Sequence, residues 1–227
     1  MSPRRARILA GQSDDRALRD HLILVTERLL AEHGLEELTT RRIAHEAGVA
    51  DGVLYNHFEN KDALLLEALV VRMSTLMRAF RDACPRAGTD TVEANLERLA
   101  TAMLELQRAV LPLFLGLVGR RPLLERFLAA LHSAAIGGPD AVLHSVHDYL
   151  AAEQRLGRLS EGGEAHIVGV LLFAITQLQA LVTHFRSSED GSSDATEELV
   201  PVVRFLVEAL TDVSASRANH DEEGASG

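Results

Sequence analysis

Apolar residues recur at helical spacing along nearly the whole chain. Leu18, Leu22, Val25 and Leu29 follow a 4-3-4 rhythm that predicts a first helix, and Gly34 stops it. Thr39 can cap a second helix, which ends at Gly48. Leu54 and Phe58, four residues apart, share one face of a short third helix. Asn60 can cap a long fourth helix that carries Asp62 in its first turn and reaches Cys84 and Pro85. The pattern continues as a fifth helix over 89–111. Pro112 and Pro122 each suit the first turn of a new helix, with Gly119 between them. Gly137, Gly138 and Pro139 break the chain before a helix over 140–156, and "GRLSEGG" reads as a loop. Two further helices follow, over 164–186 and 195–213, separated by the polar "SSEDGSSD". The last dozen residues read as disordered. No repeat and no strand pattern interrupts the series, which predicts an all-α fold.

Composition supports this and narrows the setting. Leu and Ala dominate and tryptophan is absent, which favours helix over strand. No uninterrupted apolar run reaches membrane-spanning length. The densest stretch, 167–182, is broken by Gln177 and Gln179, so no membrane contact is expected. Arg4, Arg5 and Arg7 are not followed by an apolar run of signal-peptide length. Cys84 is the only cysteine, which excludes an internal disulfide and a Cys-based zinc site. It reads as a small apolar residue in a reduced, cytoplasmic protein. The net charge of −10 is uneven. Residues 1–61 carry nine basic and ten acidic side chains, and residues 62–227 carry fourteen and twenty-three. An acidic body does not exclude an anionic partner; it confines such a partner to one local face.

Two helices joined by a short turn at Gly48 match the spacing of a DNA-binding helix-turn-helix, whose second helix enters the major groove. Ile43, Ala44 and Ala47 give the first of the pair an apolar face with small residues. Val49, Leu54 and Phe58 would pack beneath it. An αα-hairpin with no DNA role has the same spacing, so spacing alone leaves both readings open.

The stretch "GLEELTTRRIAHEAGVADGVLYNHFENKDALL" resembles the N-terminal domain of the tetracycline-repressor (TetR) family of bacterial transcription regulators. The matching positions are Gly34, Thr39, Thr40, Ile43, Ala44, Ala47, Gly48, Val49, Gly52, Leu54, Tyr55, His57, Phe58, Lys61 and Leu64. The resemblance implies a DNA-binding domain over 16–76, with its helix-turn-helix at 39–58. It implies a helical effector-binding and dimerisation domain over 77–213, with flexible ends at 1–15 and 214–227. Thr40, Arg41 and Arg42 would meet phosphates, and sometimes a base, from the first turn of the second helix. Tyr55, His57 and Lys61 fall where the family contacts backbone phosphates, and Lys61 is the only lysine in the chain. Bases would be read by the exposed face of 50–56, chiefly Asp51, Val53 and Asn56, with Ala50 and Gly52 completing that face. Gly52 lets the backbone come close to DNA. Asp51 has two readings: it stabilises the helix start in place of Ala50, a poor cap, or it accepts a hydrogen bond from a cytosine amino group. Arg4, Arg5 and Arg7 read either as a DNA-contacting arm or as an ordinary basic terminus.

In the C-terminal half, Ile167, Leu171, Ala174, Leu178, Leu181 and Phe185 form one apolar stripe, with Val168, Leu172, Ile175 and Val182 beside it. Leu199, Val203, Leu206 and Leu210 form a matching stripe on the last helix. Together they suit a four-helix interface between two copies, as the resemblance implies; burial within one chain explains the same stripes. The implied effector pocket draws its candidates from Met103, Gln107, Phe114, Phe127, His144, His147, Tyr149 and Gln177. This mostly apolar lining suits a small hydrophobic or amphipathic molecule. His144, His147 and Asp148 have metal-ligand spacing but no fourth partner, so neither metal nor cofactor is expected. The expected partners are thus double-stranded operator DNA, a second copy of the chain and a small effector. The alternative is an all-α ligand-binding or protein-interaction module without specific DNA binding. No nucleophile elbow, phosphate loop or metalloprotease motif points to an enzyme.

Overall fold

The computed structural model describes residues 3–159, 164–186 and 201–205. Among them the fold is all-helical: α1 (Pro3–His33), α2 (Thr40–Glu46), a 3-10 turn (Asp51–Val53), α3 (Leu54–His57), α4 (Lys61–Ala83), α5 (Val92–Val118), α6 (Arg121–Ser133), α7 (Pro139–Arg155) and α8 (Glu164–Arg186). Residues 201–205 are also helical. The chain divides into two compact units that do not follow chain order: 1–76 with 112–136, and 77–111 with 137–227.

In the first unit, α1 ends at Gly34, whose φ of +72° reverses the chain at no steric cost. The helix begins at Pro3, well before the apolar rhythm that predicts it, so Arg4, Arg5 and Arg7 lie on helical backbone. Leu22, Leu29 and Leu30 of α1 are buried, as are Leu35, Leu38, Ile43, Ala44, Leu54 and Phe58. On α4, Leu64, Leu65, Ala68 and Leu69 complete this core. The returning segment 112–136 belongs here through close packing. A Cβ added at Gly116 would lie 3.0 Å from the Leu35 Cβ, so any larger residue there would push Leu35 back by a few tenths of an ångström.

Pro112 does not open a new helix, contrary to the sequence expectation; α5 runs through it from Val92 to Val118. Proline cannot donate to the carbonyl one turn back, which costs the helix a bond. Burial of Leu104 and Leu106 before it and of Leu113 and Leu117 after it compensates. The two units divide at this proline. By composition, α5 and the part of α8 from Ile167 to Arg186 are long and apolar enough to span a membrane. Neither is an uninterrupted apolar run, since amides such as Gln177 and Gln179 fall within the second, and a core helix of a soluble protein passes the same test.

The second unit is organised around Glu153, whose side chain is fully buried. Its carboxylate accepts from the Tyr149 hydroxyl at 2.8 Å, from the Gly88 N–H at 3.3 Å and from the Asn95 amide at 3.5 Å, and pairs with Arg158 at 3.4 Å. Arg158 in turn donates to the carbonyls of Thr89 and Asp90. The end of α7 thereby clamps the 86–91 loop between α4 and α5. Burial and the bond to Glu153 push the Tyr149 hydroxyl pKa far above its ordinary value, so it stays a donor.

Candidate nucleic-acid interface

The reading head is built by local capping. Thr39 is the N-cap of α2, its hydroxyl accepting from the Arg42 N–H at 3.1 Å. At the other end, the Val49 N–H bonds the Ala44 carbonyl at 3.0 Å and the Gly48 N–H bonds that of His45 at 3.1 Å. This double closure needs Gly48 at φ +69°, and it sets the turn into the second helix. That helix opens as one 3-10 turn and continues as α3, burying Leu54 and Phe58. The Asn60 side chain accepts from the Ala63 N–H at 2.9 Å and caps α4. Arg19 of α1 supports this base: its guanidinium lies 4.7 Å from the Phe58 ring centre and pairs with Glu67.

Around this frame Arg41, Ala50, Asp51, Gly52, Tyr55 and Asn56 are exposed, while Thr40, Arg42 and Val53 are half-covered. Tyr55 shows 59% of its surface. Arg41 has no protein partner among the described residues, and Arg42 meets Glu37 at 3.3 Å in an exposed pair of the kind worth about 0–1 kcal/mol. Thr40, Tyr55 and Lys61, from three different helices, line one shallow depression together with Asn60. The Lys61 ammonium donates to the Leu38 carbonyl, which ties the start of α4 to the residue before the α2 cap. An ammonium has three N–H donors, so two remain for an anion. Partial desolvation, and then the nearby Arg120, lower the Lys61 pKa, while Asp62 opposes them.

One expectation about this surface changes. His57 does not face outward: its side chain is only 5% exposed, with Nδ1 3.4 Å from the Asp15 carboxylate of α1. It packs the reading helix against α1 instead of presenting a ring to phosphate. Ala50 makes no side-chain capping bond to the 3-10 helix, and Asp51 lies in the first turn of that helix, where the helix-start reading puts it. Its carboxylate is exposed and has no protein partner among the described residues, which leaves it open to an outside donor. The supports Arg19, Arg120 and Asp15 escape a sequence reading because each acts on a residue distant in the chain: Phe58, Asp62 and His57 respectively.

The predicted pocket residues are divided between the two units. Phe114 and Phe127 pair with each other in the first unit, ring centres 6.1 Å apart. Met103, Gln107, His144, His147, Tyr149 and Gln177 belong to the second unit. His144 and His147 are exposed on α7, because the buried side of that helix is the Val142, Val146 and Tyr149 row. Tyr149 is committed to Glu153. Met103 and Gln107 are buried; the Gln107 amide donates to the Phe173 carbonyl at 3.4 Å, while its own oxygen has no partner among the described residues. Gln177 is half-covered. Cys84 is partly buried, and burial raises its thiol pKa despite Arg81, which suppresses thiolate chemistry.

On α8, Val168, Leu172, Thr176 and Ala180 face inward. The stripe of Ile167, Leu171, Ala174, Leu178, Leu181 and Phe185 faces outward, with Leu178 60% and Phe185 69% exposed. Val203, expected in the same seam, is instead fully buried within its own chain. Leu199, Leu206 and Leu210 lie outside the described residues.

Residues 22–68 match the family described as "Bacterial regulatory proteins, tetR family". The chain is similar to the HTH-type transcriptional repressor KstR2 of Rhodococcus jostii, 34% identical over 105 residues that cover 46% of this chain and 49% of that one. It is also similar to the class C tetracycline repressor protein of Escherichia coli, 47% identical over 58 residues, 26% of each chain. The chain thus spans at most about half the length of these curated relatives. A TetR transcription regulator from Haloarcula marismortui shares the fold with a TM-score of 0.61 at 18% identity, covering 86% of this chain and 98% of that one. The capped helix pair and the match across it give one conclusion: residues 22–68 of this chain are a DNA-binding domain of the kind described as bacterial regulatory proteins of the tetR family.

Proposed function

We propose that the protein is a ligand-responsive, DNA-binding transcriptional regulator that acts in the cytoplasm as a homodimeric repressor of a palindromic operator. The observation that carries this reading is the convergence of Thr40, Tyr55 and Lys61 on one depression beside exposed Arg41. Phosphates flanking a major groove would meet hydroxyl and cationic donors there, while Asp51, Val53 and Asn56 face the bases. The exposed α8 stripe supplies a second apolar face, which pairs two copies. Two reading heads then address successive major grooves, about 34–36 Å apart.

A small hydrophobic or amphipathic effector would bind in the second unit, where the unpaired Gln107 oxygen offers an acceptor among apolar side chains. Binding shifts the population toward a dimer whose heads no longer match the operator. α4, continuous from Lys61 into the second unit, carries the coupling.

The test is selection of bound fragments from a genomic library, followed by titration of the recovered duplexes at two salt concentrations. Specific, salt-weakened binding is the expected result, because each phosphate contact releases a counterion. A protein that retains no fragment above background is not a DNA-binding regulator. A finer outcome is expected for Asp51→Asn. The carboxylate accepts from cytosine, whereas an amide can pair with adenine, so preference should change at one base pair of each half-site by about 1–3 kcal/mol. An unaltered preference in a repeat selection assigns Asp51 no base.

A further inference from the structure

Lys61 is the chain's only lysine; every other member of its 23 Lys and Arg residues is arginine, whose guanidinium is inert to acyl donors near neutral pH. Its ammonium is held at the rim of the depression lined by Thr40, Tyr55 and Asn60, with one N–H committed to the Leu38 carbonyl. We infer that Lys61 is a single-site acylation switch, at which an activated acyl donor, an acyl phosphate or an acyl thioester, turns off DNA binding. The inference rests on the regulator reading above.

In the step, the free amine lone pair attacks the acyl carbonyl carbon and forms an N–C bond. The C–O bond of the acyl phosphate, or the C–S bond of the thioester, breaks and leaves with its electron pair as phosphate or thiolate. The displaced ammonium proton passes to solvent. Two features of the site favour this chemistry. Half-burial and the Arg120 charge increase the free-amine fraction, and the first turn of α4, with its unpaired amides, disfavours a cation. The product explains the switch. An amide nitrogen keeps one N–H of the original three, and the Leu38 carbonyl takes it. No donor and no charge remain for phosphate, and the added acyl group has to project from the depression beside Tyr55 and Thr40.

The experiment incubates the full chain with acetyl phosphate in one arm and acetyl-coenzyme A in another. Sites are mapped by peptide mass spectrometry, and a fragment recovered by the genomic selection is titrated before and after. Expected are acetylation at Lys61 in at least one arm, slowed by that fragment, and an affinity lower by about tenfold or more. Lys61→Arg protein should respond to neither donor relative to its own untreated control. An unmodified Lys61 beside an acetylated α-amino terminus, or an acetylated Lys61 with unchanged affinity, overturns the inference alone. An untreated protein that binds no fragment removes the regulator reading as well.

Discussion

Glu153→Ala is expected to destabilise the second unit by about 3–5 kcal/mol, the cost of breaking a buried ion pair from one side. The substitution strands the Tyr149 hydroxyl and the Gly88 N–H, leaves the Asn95 amide only its bond to the Thr89 carbonyl, and removes the counter-charge of Arg158. For a chain of this size the thermal midpoint should fall by about 10 °C at fixed protein concentration. Two companions make the result specific. Tyr149→Phe removes a single hydrogen bond and should cost about 1 kcal/mol. Glu153→Gln, which still accepts from Tyr149, should fall between them. A Glu153→Ala midpoint within about 2 °C of the parent would mean that the 86–91 loop is held by other contacts.

Leu178→Asp is expected to halve the mass measured by light scattering or sedimentation. Leu178 is exposed in the middle of the outward stripe of α8, where a second copy would bury it. A carboxylate sealed into an apolar seam with no partner is strongly unfavourable. A monomer reads one half-site alone and loses the gain from two tethered heads, so operator affinity should drop by about 10²–10⁴-fold. Leu128→Asp introduces the same charge at a comparably exposed leucine of α6 and should leave the mass unchanged. A dimer that persists in the Leu178 variant would place the interface elsewhere.

What could be read from the chain follows the range of the forces involved. Gly34, Thr39, Gly48 and Asn60 mark helix ends through bonds to residues at most five positions away, and all four behave as expected. The outward stripe of α8 was also legible, because an apolar helix can bury only one side against its own chain. The orientation of His57 was not, because it depends on Asp15, 42 residues earlier, on a part of α1 with no apolar rhythm of its own. His144, His147 and Tyr149 share one helix, yet only the position of the 86–91 loop and its neighbours decides which faces inward. Pro112 misleads for a related reason. Its local preference is real, but the leucines on either side outweigh it.

The contact of Gly116 with Leu35 bears on how relatives could be recombined. A chimera that grafts this reading head onto a relative's body, joined at residue 76, would leave α6 and the end of α5 behind. Those segments belong to the same compact unit as the head. The graft would meet a foreign residue at position 116, where even a Cβ would lie only 3.0 Å from the Leu35 Cβ. The transferable module is therefore two separate stretches of chain, 1–76 and 112–136, exchanged together.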